Sequence, residues 1–194
     1  MSNHEEFLNN IKKELFQYNQ QNQNLQRSGE RNRKEFKSYV IRCFMMVEGQ
    51  YFYVSGKDED LQLQNFDDIK MESGALLDLV FQIADEDQLK HFKTGKFVHP
   101  FHGRKRDGAK LCLRDGFDGD RTCCYPFEFN GSSCLIGGGD SYFVEPFGTA
   151  LYWFKYYNAK DTKSPFTDCH YKFEFIPLNS AVSTRIILFS WSLF

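Results

Sequence analysis

The sequence predicts an all-β architecture made of three repeats of about 46 residues, preceded by a short helix. Aromatic residues are abundant, with 21 Phe, 10 Tyr and 2 Trp making up 17% of the chain, and such side chains favour half-buried sheet surfaces. An apolar–polar–apolar triplet recurs at a constant interval. Short apolar segments alternate with turn residues (Gly, Asp, Asn, Pro), which is typical of closed all-β folds.

Length and charge limit the classes of protein. The 194 residues, with 26% charged residues and a net charge of −2, allow one domain with an appendage and disfavour bulk electrostatic binding of nucleic acid. No stretch of 18 apolar residues is present, and the first residues lack the pattern of a secretory signal. We therefore expect no nucleic-acid partner, no membrane span and a cytoplasmic location, with non-classical export left open.

Residues 1–35 form an appendage to the repeats. Phe7, Ile11 and Leu15 recur every four residues and predict a helix over residues 1–18, with Ser2 and Glu5 as a capping box. The helix either packs on the body or binds a partner. Residues 19–34 are polar and of low complexity, so we interpret them as a linker.

The body, residues 36–178, contains the internal repeat. The triplets start at Phe81, Phe127 and Phe173, and both intervals are 46 residues. The same offset aligns apolar columns and one polar column, which consists of Tyr53, His99 and Glu145. One unit cannot bury its own apolar face, whereas three can close around a shared core. The predicted units are 38–86, 87–131 and 132–177.

The middle unit also carries a longer motif. Its residues are Thr94-Gly95-Lys96, Val98-His99-Pro100, Gly103, Leu111, Leu113, Arg121 and Phe127-Glu128-Phe129. In these residues it resembles the repeat of the mytilectin-type β-trefoil lectins, and the outer units fit more weakly. The resemblance implies a β-trefoil of twelve strands that binds galactose-type glycans without metal or catalysis.

The resemblance also implies a ligand-binding site in the middle unit. His99, with Pro100 and Gly103, would form one wall, and an acidic run would form the other. The candidates in that run are Asp115, Asp118 and Asp120. Short, rigid polar groups of this kind suit vicinal sugar hydroxyls. The alternative is that His99-Pro100 is a turn kept for folding and that the acidic loop is only solvated.

This unit departs from the family pattern, and the outer units depart further. His102 stands where the family has its first Gly, and Arg114 replaces a strand-end His. The polar column holds Tyr53 in the first unit and Glu145 in the third. We therefore expect binding mainly through the middle repeat.

Other chemistry has weaker support in the sequence. The acidic run lacks the spacing of an EF-hand calcium loop. The six cysteines lack the spacing of a zinc site, and the sequence contains no nucleophile elbow. We expect no enzyme activity, no metal, no cofactor and mostly free thiols. Residues 179–194 form an apolar tail. The alternative to a lectin is a protein-interaction scaffold that has lost sugar binding and contacts a partner through the N-terminal helix or this tail.

Overall fold

A computed structural model describes most of the repeated body and the N-terminal helix. The described residues are 3–25, 37–45, 48–57, 59–72, 74–84, 88–101, 107–115, 127–129, 135–137, 142–155 and 171–178. The fold is mostly β with one α-helix. The apolar tail and most of the predicted linker lie outside the described residues.

Helix α1 (Asn3–Leu25) is longer than the sequence predicts. The buried positions Phe7, Ile11 and Leu15 are those of the predicted apolar stripe. Residues 16–21 are exposed and nevertheless helical. Extending an existing helix costs much less than nucleating one, and Gln is a good helix former. The predicted boundary at residue 18 was therefore wrong, because polar composition alone does not end a helix.

Among its described residues, the body contains twelve strands and two short 3₁₀ helices, Phe66–Asp68 and Leu76–Leu79. The strands are β1 (Ser38–Met45), β2 (Gln50–Lys57), β3 (Asp60–Asn65), β4 (Val80–Ile83), β5 (Leu89–His91), β6 (Phe97–Pro100), β7 (Ala109–Arg114), β8 (Phe127–Phe129), β9 (Leu135–Gly137), β10 (Tyr142–Phe147), β11 (Ala150–Lys155) and β12 (Tyr171–Pro177).

Strand pairing follows one scheme in each consecutive group of four strands. The second strand pairs with the first and the third, as in β1–β2–β3, β5–β6–β7 and β9–β10–β11. The last strand of each group pairs with the first strand of another, through β4–β5, β8–β9 and β12–β1. The third strands β3, β7 and β11 also pair with one another. All of these pairings are antiparallel.

Two turns show the 46-residue interval in atomic detail. Gly49 and Gly95 have φ of 64° and 72°, a backbone conformation that glycine adopts without steric cost. The Gly49 N–H donates to the Met45 carbonyl, and the Gly95 N–H donates to the His91 carbonyl, each over 2.9 Å. Donors and acceptors are both 46 residues apart, so the same turn links the first two strands in both groups.

The buried residues form two clusters. The larger cluster lies among the strands and includes Ile41, Val98, Leu113, Val144 and Phe173. The second cluster joins helix α1 to the body, and its members are Phe7, Ile11, Leu15, Val40, Tyr53, Leu76, Leu77, Leu79, Val80 and Leu178. The apolar face of the helix is therefore covered by the body of the same chain. In the described residues, no helix is both long enough and apolar enough to cross a membrane.

Candidate functional site

His99 lies in the β6–β7 hairpin and is only 3% exposed. Its Nδ1 is 2.8 Å from the Pro100 carbonyl oxygen. Because a carbonyl only accepts, Nδ1 carries a proton. Burial lowers the pKa of His99, and the positive charge of Arg114 acts in the same direction. The imidazole therefore fixes the backbone at the end of β6.

Three of the six predicted site residues are among the described residues. His99 and Pro100 are consecutive and buried on β6, and His99 pairs with Cys112 on β7. Asp115 is exposed and follows the Phe97–Arg114 pair. It is thus three positions along the hairpin from His99, or roughly 10 Å at the rise of a strand. Gly103, Asp118 and Asp120 lie outside the described residues, so their roles stay predictions from the resemblance.

An exposed aromatic ring directly follows strand β6. Phe101 is 45% exposed, and the Arg114 guanidinium carbon lies 5.5 Å from its ring centroid. Phe147 in the third group is 76% exposed and follows Pro146 as Phe101 follows Pro100. The sequence analysis missed both rings. The signal for them was a Pro-Phe pair repeated at the 46-residue interval.

In the first group, helix α1 covers Tyr53, which lies 46 residues before His99. Tyr53 is fully buried, and its hydroxyl hydrogen-bonds to His4 Nδ1 over 2.9 Å. Phe7 packs against the Tyr53 ring with centroids 4.9 Å apart, and His4 stacks on Phe66 at 4.1 Å. Burial raises the pKa of the Tyr53 hydroxyl. The first group therefore has a helix packed on the residue that is equivalent to His99 of the middle group.

In the third group, the residues equivalent to His99 and Phe101 are more exposed than in the middle group. Glu145 is partly buried, and burial raises the pKa of its carboxyl. It pairs with Tyr152 across the β10–β11 hairpin, and the Tyr152 ring is perpendicular to that of Phe147 at 6.0 Å. An exposed aromatic ring beside a carboxyl group can contact both the apolar face and the hydroxyls of a sugar.

The described residues contain no group of three side chains that could hold a metal ion. Cys43 and Cys112 are buried free thiols, and burial raises the pKa of Cys43 to about 12. A thiol held protonated in this way is a poor nucleophile. The other four cysteines lie outside the described residues.

No protein-family profile matches the chain. No curated protein sequence matches it either.

Several solved structures are similar to the chain at low identity. An agglutinin from Abrus precatorius aligns with a TM-score of 0.49 and 9% identity, over 72% of this chain and 46% of that one, so the chain spans about half of its length. A designed 3-fold symmetric protein, ThreeFoil, aligns with a TM-score of 0.45 and 10% identity, over 72% of this chain and 97% of that one. A GlcNAcα1-4Gal-releasing endo-β-galactosidase from Clostridium perfringens aligns with a TM-score of 0.46 and 14% identity, over 73% of this chain and 32% of that one. The activities in these names belong to those proteins.

Proposed function

We propose that the body is a β-trefoil and that it binds carbohydrate, without catalysis, mainly through the middle unit. The fold assignment is supported by the pairing scheme, in which the second strand of each group pairs with the first and the third, the fourth strand pairs with the first strand of another group, and the third strands meet. The functional assignment rests on one observation, the exposed ring of Phe101 directly after Pro100, whose carbonyl accepts a hydrogen bond from His99.

The chemistry of sugar binding explains why that observation matters. A pyranose has an apolar face of C–H groups, which packs against an exposed aromatic ring, and a rim of hydroxyls, which need short polar partners. Phe101 supplies the ring. Asp115 is an exposed carboxylate of the same hairpin, but it lies beyond the Phe97–Arg114 pair, at the end away from Phe101, so a pyranose packed on Phe101 does not reach it. His99 is 3% exposed and its imidazole donates to the Pro100 carbonyl, so we assign it the role of fixing the end of β6 next to Phe101.

Galactose-type ends are the proposed ligand class. This choice derives from the resemblance of Val98-His99-Pro100 and its neighbours to the lectin repeat. Gly103, Asp118 and Asp120 complete the proposed site on the same basis. A single shallow site desolvates few groups, so we expect dissociation constants on the order of millimolar to tens of micromolar.

The test is glycan-array screening followed by calorimetry on the whole chain. Phe101→Ala should weaken binding about tenfold, which corresponds to about 1.4 kcal/mol. The matched control is Phe16→Ala, which removes a 62% exposed Phe on helix α1 and should leave affinity unchanged. Equal loss in both variants, or none in Phe101→Ala, would contradict the proposed site.

A protein-interaction scaffold is the second candidate. It is favoured by the helix over Tyr53 and by the burial of His99, which leave two of the three equivalent positions closed. Since the apolar face of helix α1 is packed on the body, a partner on this helix would use its exposed side. A folded wild-type protein that retains no glycan in either assay would favour this candidate.

A further inference from the structure

A cavity lies where the first and last strands of the body meet, away from the β6–β7 hairpin. Its volume is about 270 Å³, close to the lower end for small-molecule sites. Its lining residues are Arg42, Phe44, Tyr51, Lys172, Phe173 and Glu174. They come from β1, β2 and β12, so the cavity combines the first and third groups of strands.

Strand register explains why five of these side chains, all except that of the buried Phe173, share one face. Arg42 pairs with Glu174 on one side, and Phe44 pairs with Lys172 on the same side. On the other side, Phe44 pairs with Tyr51. Because residues two apart on a strand point to the same face, Arg42 and Phe44 form two adjacent rows across three strands.

The polar part of the cavity is preorganised. The Arg42 guanidinium donates to Glu174 Oε2 from Nε over 3.1 Å and also from Nη2. Its central carbon lies 4.4 Å from the Tyr51 ring centroid, so the planar group is held from a second direction. A guanidinium has five N–H donors and a carboxylate has two oxygens. The pair therefore retains donors and an acceptor for vicinal hydroxyls.

The apolar part consists of Phe44 and Tyr51, whose half-buried rings have centroids 4.9 Å apart. Such rings suit the C–H face of a pyranose. Lys172 is exposed, and its ammonium adds a second positive charge to a lining that contains one carboxylate. This excess of positive charge favours a sugar that bears a carboxylate over a neutral one.

Helix α1 supports one side of this arrangement. Tyr53 pairs with Arg42 across β1 and β2, and its hydroxyl also hydrogen-bonds to His4. Phe7 packs on the Tyr53 ring from the helix. The docked helix thus fixes the residue beside the guanidinium.

We propose that this cavity is a separate saccharide site that takes a hexuronic acid, with Arg42 and Glu174 contacting hydroxyls and Lys172 contacting the carboxylate. The site goes beyond the proposed function of the middle unit and does not depend on it. Either site can fail without the other.

The experiment is an NMR titration of the ¹⁵N-labelled whole chain with galacturonic acid and, separately, methyl β-galactoside. Galacturonic acid should shift the Arg42 Nε–H and the Phe44 and Glu174 amide resonances with a dissociation constant in the millimolar range. The neutral glycoside should bind the cavity about two- to fivefold more weakly, as expected for one exposed charge.

Lys172→Gln should abolish this preference, whereas the control Lys70→Gln, on an exposed ion pair with Glu72, should preserve it. Arg42→Lys should weaken binding of both sugars at the cavity about tenfold, because lysine lacks the fork of donors. Unchanged resonances around Phe101 in that variant would show that the fold is retained. Phe101→Ala should leave the cavity titration unaltered.

Three results would overturn the proposal. The cavity resonances could stay unmoved by galacturonic acid, or the wild type could bind both sugars equally. The acid could also shift lysine resonances over the whole surface, with the same effect in Lys172→Gln and Lys70→Gln.

Discussion

Individual buried histidines make the protein sensitive to acid. His91 is fully buried, with Nε2 donating to the Asp78 carbonyl over 3.1 Å and Nδ1 accepting from the Thr94 hydroxyl over 2.9 Å. Protonation of Nδ1 would remove that acceptor. Burial lowers the pKa of His91, and it also lowers those of His99 and His4.

The direction of the pH effect follows from these shifts. A folded-state pKa below the ordinary 6.5 means that the unfolded chain binds protons more strongly. The stability from the neutral rings is therefore complete above about pH 6.5 and declines as pH falls through the lower folded-state values. Urea unfolding at pH 7.5 and pH 5 should show a lower midpoint in acid. A His91→Gln variant should show a weaker pH dependence, and an identical dependence would contradict this role.

Some contacts of individual residues cannot be predicted from the sequence. A Cβ added at Gly56 would lie 2.7 Å from Leu113 Cδ1 and 2.9 Å from His91 Cδ2. These contacts join residues far apart in the chain. Nothing in the local pattern of β2 distinguishes Gly56 from a turn glycine. The sequence around His99 likewise does not show that its side chain is buried.

At the scale of the element, helix α1 is attached through its apolar stripe. Phe7, Ile11 and Leu15 are buried against the body, and Glu14 accepts a hydrogen bond from the Gly74 N–H. The stripe was predictable from its four-residue spacing. The surface on which the helix packs was not predictable, because Tyr53 and Leu76–Leu79 are distant from the helix in sequence and meet it only in the folded chain.

Two phenylalanines of this helix provide a matched comparison. Phe7 is 0% exposed and Phe16 is 62% exposed. Phe7→Ala should lower the free energy of unfolding by about 3–5 kcal/mol, as large-to-small changes in a core do. Phe16→Ala should change it by less than about 0.5 kcal/mol. Both are measured by urea denaturation.

Similar small losses in the two variants would mean that the helix does not pack on the body in solution. A large loss in Phe16→Ala would instead mean that the exposed side of the helix is covered by something outside this chain.

At the scale of the whole molecule, the repeat interval predicted more than any local motif. The column of Tyr53, His99 and Glu145 lies on the second strand of each group, and the apolar–polar–apolar triplets lie on the fourth. Apolar alternation specifies strands locally. It does not specify which distant strands pair, so the contacts among β3, β7 and β11 and the cavity between β1 and β12 could not be predicted.

Carbohydrate binding at Phe101 is tested most directly by saturation-transfer difference NMR on the whole chain with methyl β-galactoside. Saturating the aromatic protons of the protein should transfer signal to the C–H protons on one face of the pyranose, and Phe101→Ala should abolish most of that signal while Phe16→Ala preserves it. A wild-type protein that transfers no saturation, or transfers as much in Phe101→Ala, would contradict a sugar site at this turn.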